Sequence, residues 1–114
     1  MILQMLKVIG AAATIGTGLL ALVRPSAVPG FTGLDTTGAR GVTEIRSIFG
    51  GLFIGVGAFP LVVRVPVAFH MLGIMYLAIA AARLVSMLVD GSLKETTNII
   101  SLAVEVVFGG ILVL

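Results

Sequence analysis

Glu44, Arg46, His70, Arg83 and Glu105 are the side chains of this 114-residue sequence best suited to chemistry, and each lies within or at the end of a long apolar stretch. A carboxylate there can serve as general acid or base, a guanidinium can anchor an anion, and an imidazole can ligate haem or a metal. Such residues are expensive in lipid, at about 2.5–3.5 kcal/mol for Arg or Asp at the centre of a span on insertion scales. Those that persist face one another or a cavity and mark a site by default. Two acids, Glu44 and Glu105, balance two arginines, Arg46 and Arg83, so the same set also reads as two ion pairs that fix helix register.

The remaining chemistry is thin. Cysteine is absent, which removes disulfides, thiolate metal sites and thiol nucleophiles. No His/Asp/Glu set has metal-ligand spacing, so no metal is expected. His70 lacks a second axial partner for haem and reads as an interfacial hydrogen-bonding residue. No glycine-rich phosphate loop follows a strand, and no cofactor is expected. The net charge of +2 comes from scattered residues, without a basic run or aromatic platform, which argues against nucleic acid.

The elements that must position these residues are apolar helices. The chain is 59% hydrophobic, only 11% charged, and has a mean hydropathy of +1.24. A water-facing surface needs about 25% charged residues, so lipid must cover this one. The fold class expected is all-α, an integral membrane bundle of four transmembrane helices forming a single domain over residues 1–114. The spans read as about 2–23, 42–59, 67–89 and 93–112. The first could pass for a signal peptide, with cleavage near Ala27. It lacks a charged leading region, and Ile2 to Val23 is long enough to span. The second should stop before Pro60 and the third start at Pro66. Asp90-Gly91 breaks the third, and Ser92-Leu93-Lys94-Glu95 has capping-box spacing that starts the fourth near Leu93. Counting Lys7 and Arg64 against Arg24, Arg40, Arg46, Arg83 and Lys94, the positive-inside rule puts both odd loops in the cytoplasm.

Folding the spans into hairpins compares depths. A turn centred at Val63 levels Arg83 with Thr43 and Tyr76 with Gly50. A turn centred at Gly91 levels Glu105 with Leu77, about two turns below Arg83. Tyr76, Ala80, Arg83 and Met87 share one helix face, and Asn98, Ser101, Glu105 and Gly109 share another. These placements predict one polar pocket holding Glu44, Arg46, Tyr76, Arg83 and Glu105. Helix packing is expected at Ser47, Gly51 and Gly55, a GxxxG stripe that serves either within the chain or in a homodimer.

The stretch from Thr43 to Phe59, with Glu44, Arg46, Gly50-Gly51, Gly55 and Gly57, resembles helix 2 of an uncharacterised bacterial family of small four-helix membrane proteins, distantly DoxX-like. The resemblance implies a multi-pass protein of the bacterial inner (plasma) membrane. DoxX-like relatives include a subunit associated with quinol oxidation, but no cofactor motif here carries that over. Three functions stay open: a non-catalytic accessory subunit beside other membrane protein subunits, a binder or carrier of a lipid, quinone or small anionic metabolite, and an enzyme using Glu105 or His70.

Overall fold

A backbone surrounded by lipid has no water to bond, and an α-helix pairs its N–H and C=O groups within one segment. The computed structural model describes residues 1–114 and contains helices, turns and no strand. Four helices are long and apolar enough to cross a membrane: α1 (Ile2–Val23), α3 (Gly38–Val63), α4 (Pro66–Val89) and α5 (Thr96–Val113). A short helix, α2 (Val28–Thr32), follows a 3₁₀ turn over Pro25–Ala27 in the first loop. Many large side chains, including Val62, Met71, Val85 and Val107, are exposed, as lipid-facing residues are. Thr14 and Thr17 donate their hydroxyls to carbonyls four residues back, which satisfies them inside their own helix.

The chain divides into two compact units, Val8–Arg64 and Met1–Lys7 with Val65–Leu114. In the first, α1 and α3 meet where side chains are missing. A Cβ on Gly18 would fall 2.7 Å from the Gly50 carbonyl oxygen and 2.8 Å from the Ile54 nitrogen. One on Gly57 would fall 2.9 Å from the Ala11 carbonyl oxygen. Ala21, Val28 and Ile45, with Phe49 against them, form a small core near the first loop. Within α3, Ile45–Leu52 winds as a π-helix, with hydrogen bonds spanning five residues instead of four.

In the second unit, α4 and α5 form a hairpin around a similar contact. A Cβ on Gly73 would lie 2.9 Å from the Gly109 carbonyl oxygen, and one on Gly109 only 2.6 Å from Leu77. Phe69, Leu72, Tyr76 and Leu112 are buried in this unit.

Helix ends depart from the sequence reading in three places. α3 begins at Gly38 and passes Pro60 to reach Val63. Pro60 sits in the last turn, and its carbonyl accepts from the Arg64 N–H at 3.0 Å, with Arg64 left-handed at φ 58°. Val65 is extended before Pro66. α5 starts at Thr96, not Leu93. The Ser92 N–H donates to the Met87 carbonyl at 3.0 Å across Gly91, whose φ is +68°. That bond closes α4 in a Schellman turn, so Ser92 ends one helix instead of capping the next.

The glycine contacts yield a direct test. Gly73→Ala and Gly18→Ala each force backbone apart and should destabilise by about 1–3 kcal/mol. At Gly55 a Cβ meets nothing within 4 Å, so Gly55→Ala should be neutral or slightly stabilising. Unfolding of the detergent-solubilised protein, followed by helicity, checks the contrast. Equal losses in all three variants would contradict it.

Candidate functional site

Direction brings Arg83 and Glu105 together. Helical side chains lean toward their own N-terminus. α4 and α5 are antiparallel neighbours, so Arg83 leans down the hairpin while Glu105 leans up toward the Asp90 turn. Because Gly109 packs against Gly73 and Leu77, Glu105, one turn away, is level with about Ala80. That is one turn closer to Arg83 than a turn centred at Gly91 implies, and the later start of α5 accounts for the change.

The resulting pair is bidentate. Arg83 Nε donates to both Glu105 oxygens, at 3.0 Å to Oε1 and 2.9 Å to Oε2, and Nη2 donates to Oε1 at 2.6 Å. Arg83 Nη1 reaches Asn98 Oδ1 at 3.3 Å. The side chain of Glu105 is 10% exposed and that of Arg83 29%, so the pair opens to the outside through its guanidinium. A cavity of about 320 Å³ lies on that side, lined by Ile79, Ala82, Arg83, Ser86, Met87 and Asn98. Ser86 closes off the turn by donating to Asp90 Oδ2 at 2.7 Å. Tyr76 is buried with its ring edge-on to Phe108, centroids 5.5 Å apart. It is two turns from Arg83 along α4, about 10 Å along the axis, and one turn from the level of Glu105.

Glu44 and Arg46 belong to the other unit, and both are exposed. Neither makes a described ion pair, and Arg83–Glu105 is the one salt bridge described. Of the five residues expected in one pocket, Tyr76, Arg83 and Glu105 belong to one unit and Glu44 and Arg46 to the other. Glu44 lines a second cavity, of about 450 Å³, between the first loop and the start of α3. Ser47, Gly51 and Gly55 are exposed, and the close contacts of the first unit fall instead at Gly18, Gly50 and Gly57. Five-residue spacing stacks Arg46 over Gly51: the Arg46 carbonyl oxygen is 4.0 Å from where a Gly51 Cβ would stand.

Sequence reasoning placed Asn98 on the right face but not among the site residues; its spacing seven before Glu105 was the available signal. It also passed over Asp35 and Arg40, which line the second cavity with Glu44. Arg40 and Glu44 are four apart on the same helix, which puts them on one face. Lys7 is buried, only 7% exposed, about 8 Å from the start of α1 at 1.5 Å per residue. A lysine there can bury its stem and extend its charge toward the near helix end.

Four apolar helices with an internal ion pair define a small multi-pass membrane protein. The chain belongs to the family described as a domain of unknown function, DUF4345, whose model matches residues 2–114. No curated protein and no solved structure matches it.

Arg83→Ala strands the buried Glu105 carboxylate and should destabilise by about 3–5 kcal/mol. Joint Arg83→Met and Glu105→Leu should recover most of that loss. Denaturation in mixed micelles measures both, and a double variant no better than the single would show that the pair does more than satisfy its own charges.

Proposed function

We propose that this protein is a non-catalytic accessory subunit of a membrane assembly, docked along the face of α3 that carries Arg46, Ser47, Gly51 and Gly55. The observation that supports this most is the open stripe itself. Lipid tails give no hydrophobic reward for helix association, so close approach of small residues drives it. Gly18, Gly50, Gly57, Gly73 and Gly109 are already used inside the two units, whereas Gly51 and Gly55 meet no neighbouring side chain. Arg46 stands at the loop end of the same face without an ion-pair partner of its own. The apolar run from Ile45 to Val63, nineteen residues, is about 28 Å long, so Arg46 sits near the headgroup edge. A partner helix with an acceptor at that level would complete it, whether from another subunit or from a second copy in a homodimer. A catalytic reading is weaker, because the best-placed carboxylate, Glu105, already accepts three hydrogen bonds from Arg83. The likeness of the Thr43–Phe59 stretch supports assigning the protein to a bacterial inner membrane.

A second reading, a binder or carrier of a lipid, quinone or small anionic metabolite, draws on the cavity at Arg83. A guanidinium has five N–H groups. Three are engaged by Glu105 and Asn98, which leaves two for an anionic guest. Anion-dependent thermal stabilisation that Arg83→Lys abolishes would favour it.

Purification from native membranes in mild detergent tests the first reading. The wild-type chain should elute with a partner or as a dimer, and Gly55→Leu or Arg46→Gln should release it with little change in thermal stability. A lone monodisperse wild-type chain counts against docking.

A further inference from the structure

The first loop and the start of α3 border an open cavity whose lining changes from charged to apolar along the helix. Leu34, Asp35, Thr36, Thr37, Arg40, Gly41 and Glu44 line one part, and Ile45, Ile48 and Phe49 line the rest. The polar residues precede the apolar run that begins at Ile45, so they stand at headgroup level. The apolar ones occupy the first turns inside the hydrocarbon. An aqueous metabolite has no use for that gradient, whereas a phospholipid has the same one.

The charges narrow the headgroup. Arg40, Asp35 and Glu44 are all exposed, and none forms an ion pair within the protein. Arg40 and Glu44 are one turn apart on one helix face. Asp35 is held in the loop, where its Oδ1 accepts the Thr36 N–H at 2.8 Å and its other oxygen has no described bond. One guanidinium and two carboxylates therefore line the same cavity. A phosphate matches the first, since guanidinium is suited to bidentate phosphate contact. The two carboxylates then call for a cation with N–H groups close to that phosphate. A quaternary ammonium has no N–H to give and is recognised by aromatic cages, which this polar rim lacks. An anionic headgroup without a cation, such as phosphoglycerol, leaves both carboxylates unmatched, and the carboxylate of a phosphoserine headgroup would add a third negative charge beside them. At about 450 Å³ the cavity is within the usual range for a small-molecule site, about 300–1,000 Å³.

We infer that this cavity binds a phospholipid with a primary-ammonium headgroup, of the phosphatidylethanolamine type, with phosphate on Arg40, ammonium on Asp35 and Glu44, and an acyl chain along Ile45, Ile48 and Phe49. This site is in the first unit and is independent of the docking face, which runs along Arg46, Gly51 and Gly55. A fold without a bound partner would still bind the lipid, and a docked fold need not.

The test uses the full chain in detergent and in nanodiscs, with native mass spectrometry reading retained lipid. Phosphatidylethanolamine should be retained about tenfold over phosphatidylcholine or phosphatidylglycerol, a ratio worth about 1.4 kcal/mol. Retention should fall stepwise as the headgroup nitrogen is methylated, a series that needs no variant. Asp35→Asn with Glu44→Gln should erase the ethanolamine preference. Arg40→Gln should weaken retention of ethanolamine and choline lipids alike. Soluble phosphoethanolamine should displace the lipid poorly, because it lacks the acyl contacts. Equal retention of the three lipids by the wild type, a flat methylation series, or a preference that survives the double carboxamide variant overturns the proposal, as does displacement by phosphoethanolamine at lipid-like concentrations.

Discussion

Two helices surrounded by lipid gain nothing by hiding apolar surface from one another, so they associate where their backbones can touch. In this protein that condition is met at Gly18 and Gly57 in one unit and at Gly73 and Gly109 in the other. The contact does more than attract. A carbonyl oxygen 2.9 Å from where a Cβ would stand leaves almost no freedom to slide or rotate. Once Gly109 is set against Gly73 and Leu77, the residue one turn away on the same face, Glu105, has to point at α4. The glycines therefore determine which polar residues meet, and the ion pair follows from the packing.

The pair in turn explains how two charges stand inside an apolar hairpin. Antiparallel helices lean their side chains in opposite directions, so an arginine one turn above a glutamate reaches it end-on. The bidentate geometry satisfies both carboxylate oxygens. A buried pair of this kind is not by itself a source of stability, because desolvation opposes the attraction. Its effect is on specificity: a hairpin slipped by one turn would strand both groups in lipid. Glycine contact and charge pair thus impose the same register on α4 and α5 through different physics.

Particular residues show how much of this was legible in the amino-acid sequence. The four apolar runs are long enough that hydropathy alone separates them, and the faces Tyr76–Ala80–Arg83–Met87 and Asn98–Ser101–Glu105–Gly109 follow from helical spacing. Arg83 and Glu105 could be matched in that way to within a turn. The error came from Ser92–Glu95, whose capping-box spacing conceals a Schellman turn in which Gly91 adopts φ +68°. Spacing rules do not distinguish the end of one helix from the start of the next when both fit in six residues. Pro60 breaks the expectation differently: its missing N–H and its ring disturb the turn before it, but they do not stop Leu61–Val63 from continuing the helix. The choice between Gly50 and Gly51 was not legible either. Both are glycine, and only the rotation of α3 against α1 decides which one is buried.

That rotation depends on the π-helical segment over Ile45–Leu52. Hydrogen bonds that span five residues turn the chain less per residue than those that span four. A regular helical wheel drawn from Val42 therefore misplaces everything on the loop side of the segment relative to Gly55 and Gly57. With the segment in place, Gly50 and Gly57 face α1, Arg46 stacks over Gly51 on the exposed flank beside them, and Ile45 joins Ala21 and Val28 in the core beneath the first loop. α3 is in effect two helices with different phases. The loop-side half is oriented by the core under α2, and the other half by glycine contact with α1. A regular α-helix could satisfy one of these constraints, but it would turn Glu44 and Arg46 away from the positions they hold. The π-helical segment sets the phase between the two halves at the point where the span leaves the headgroup region.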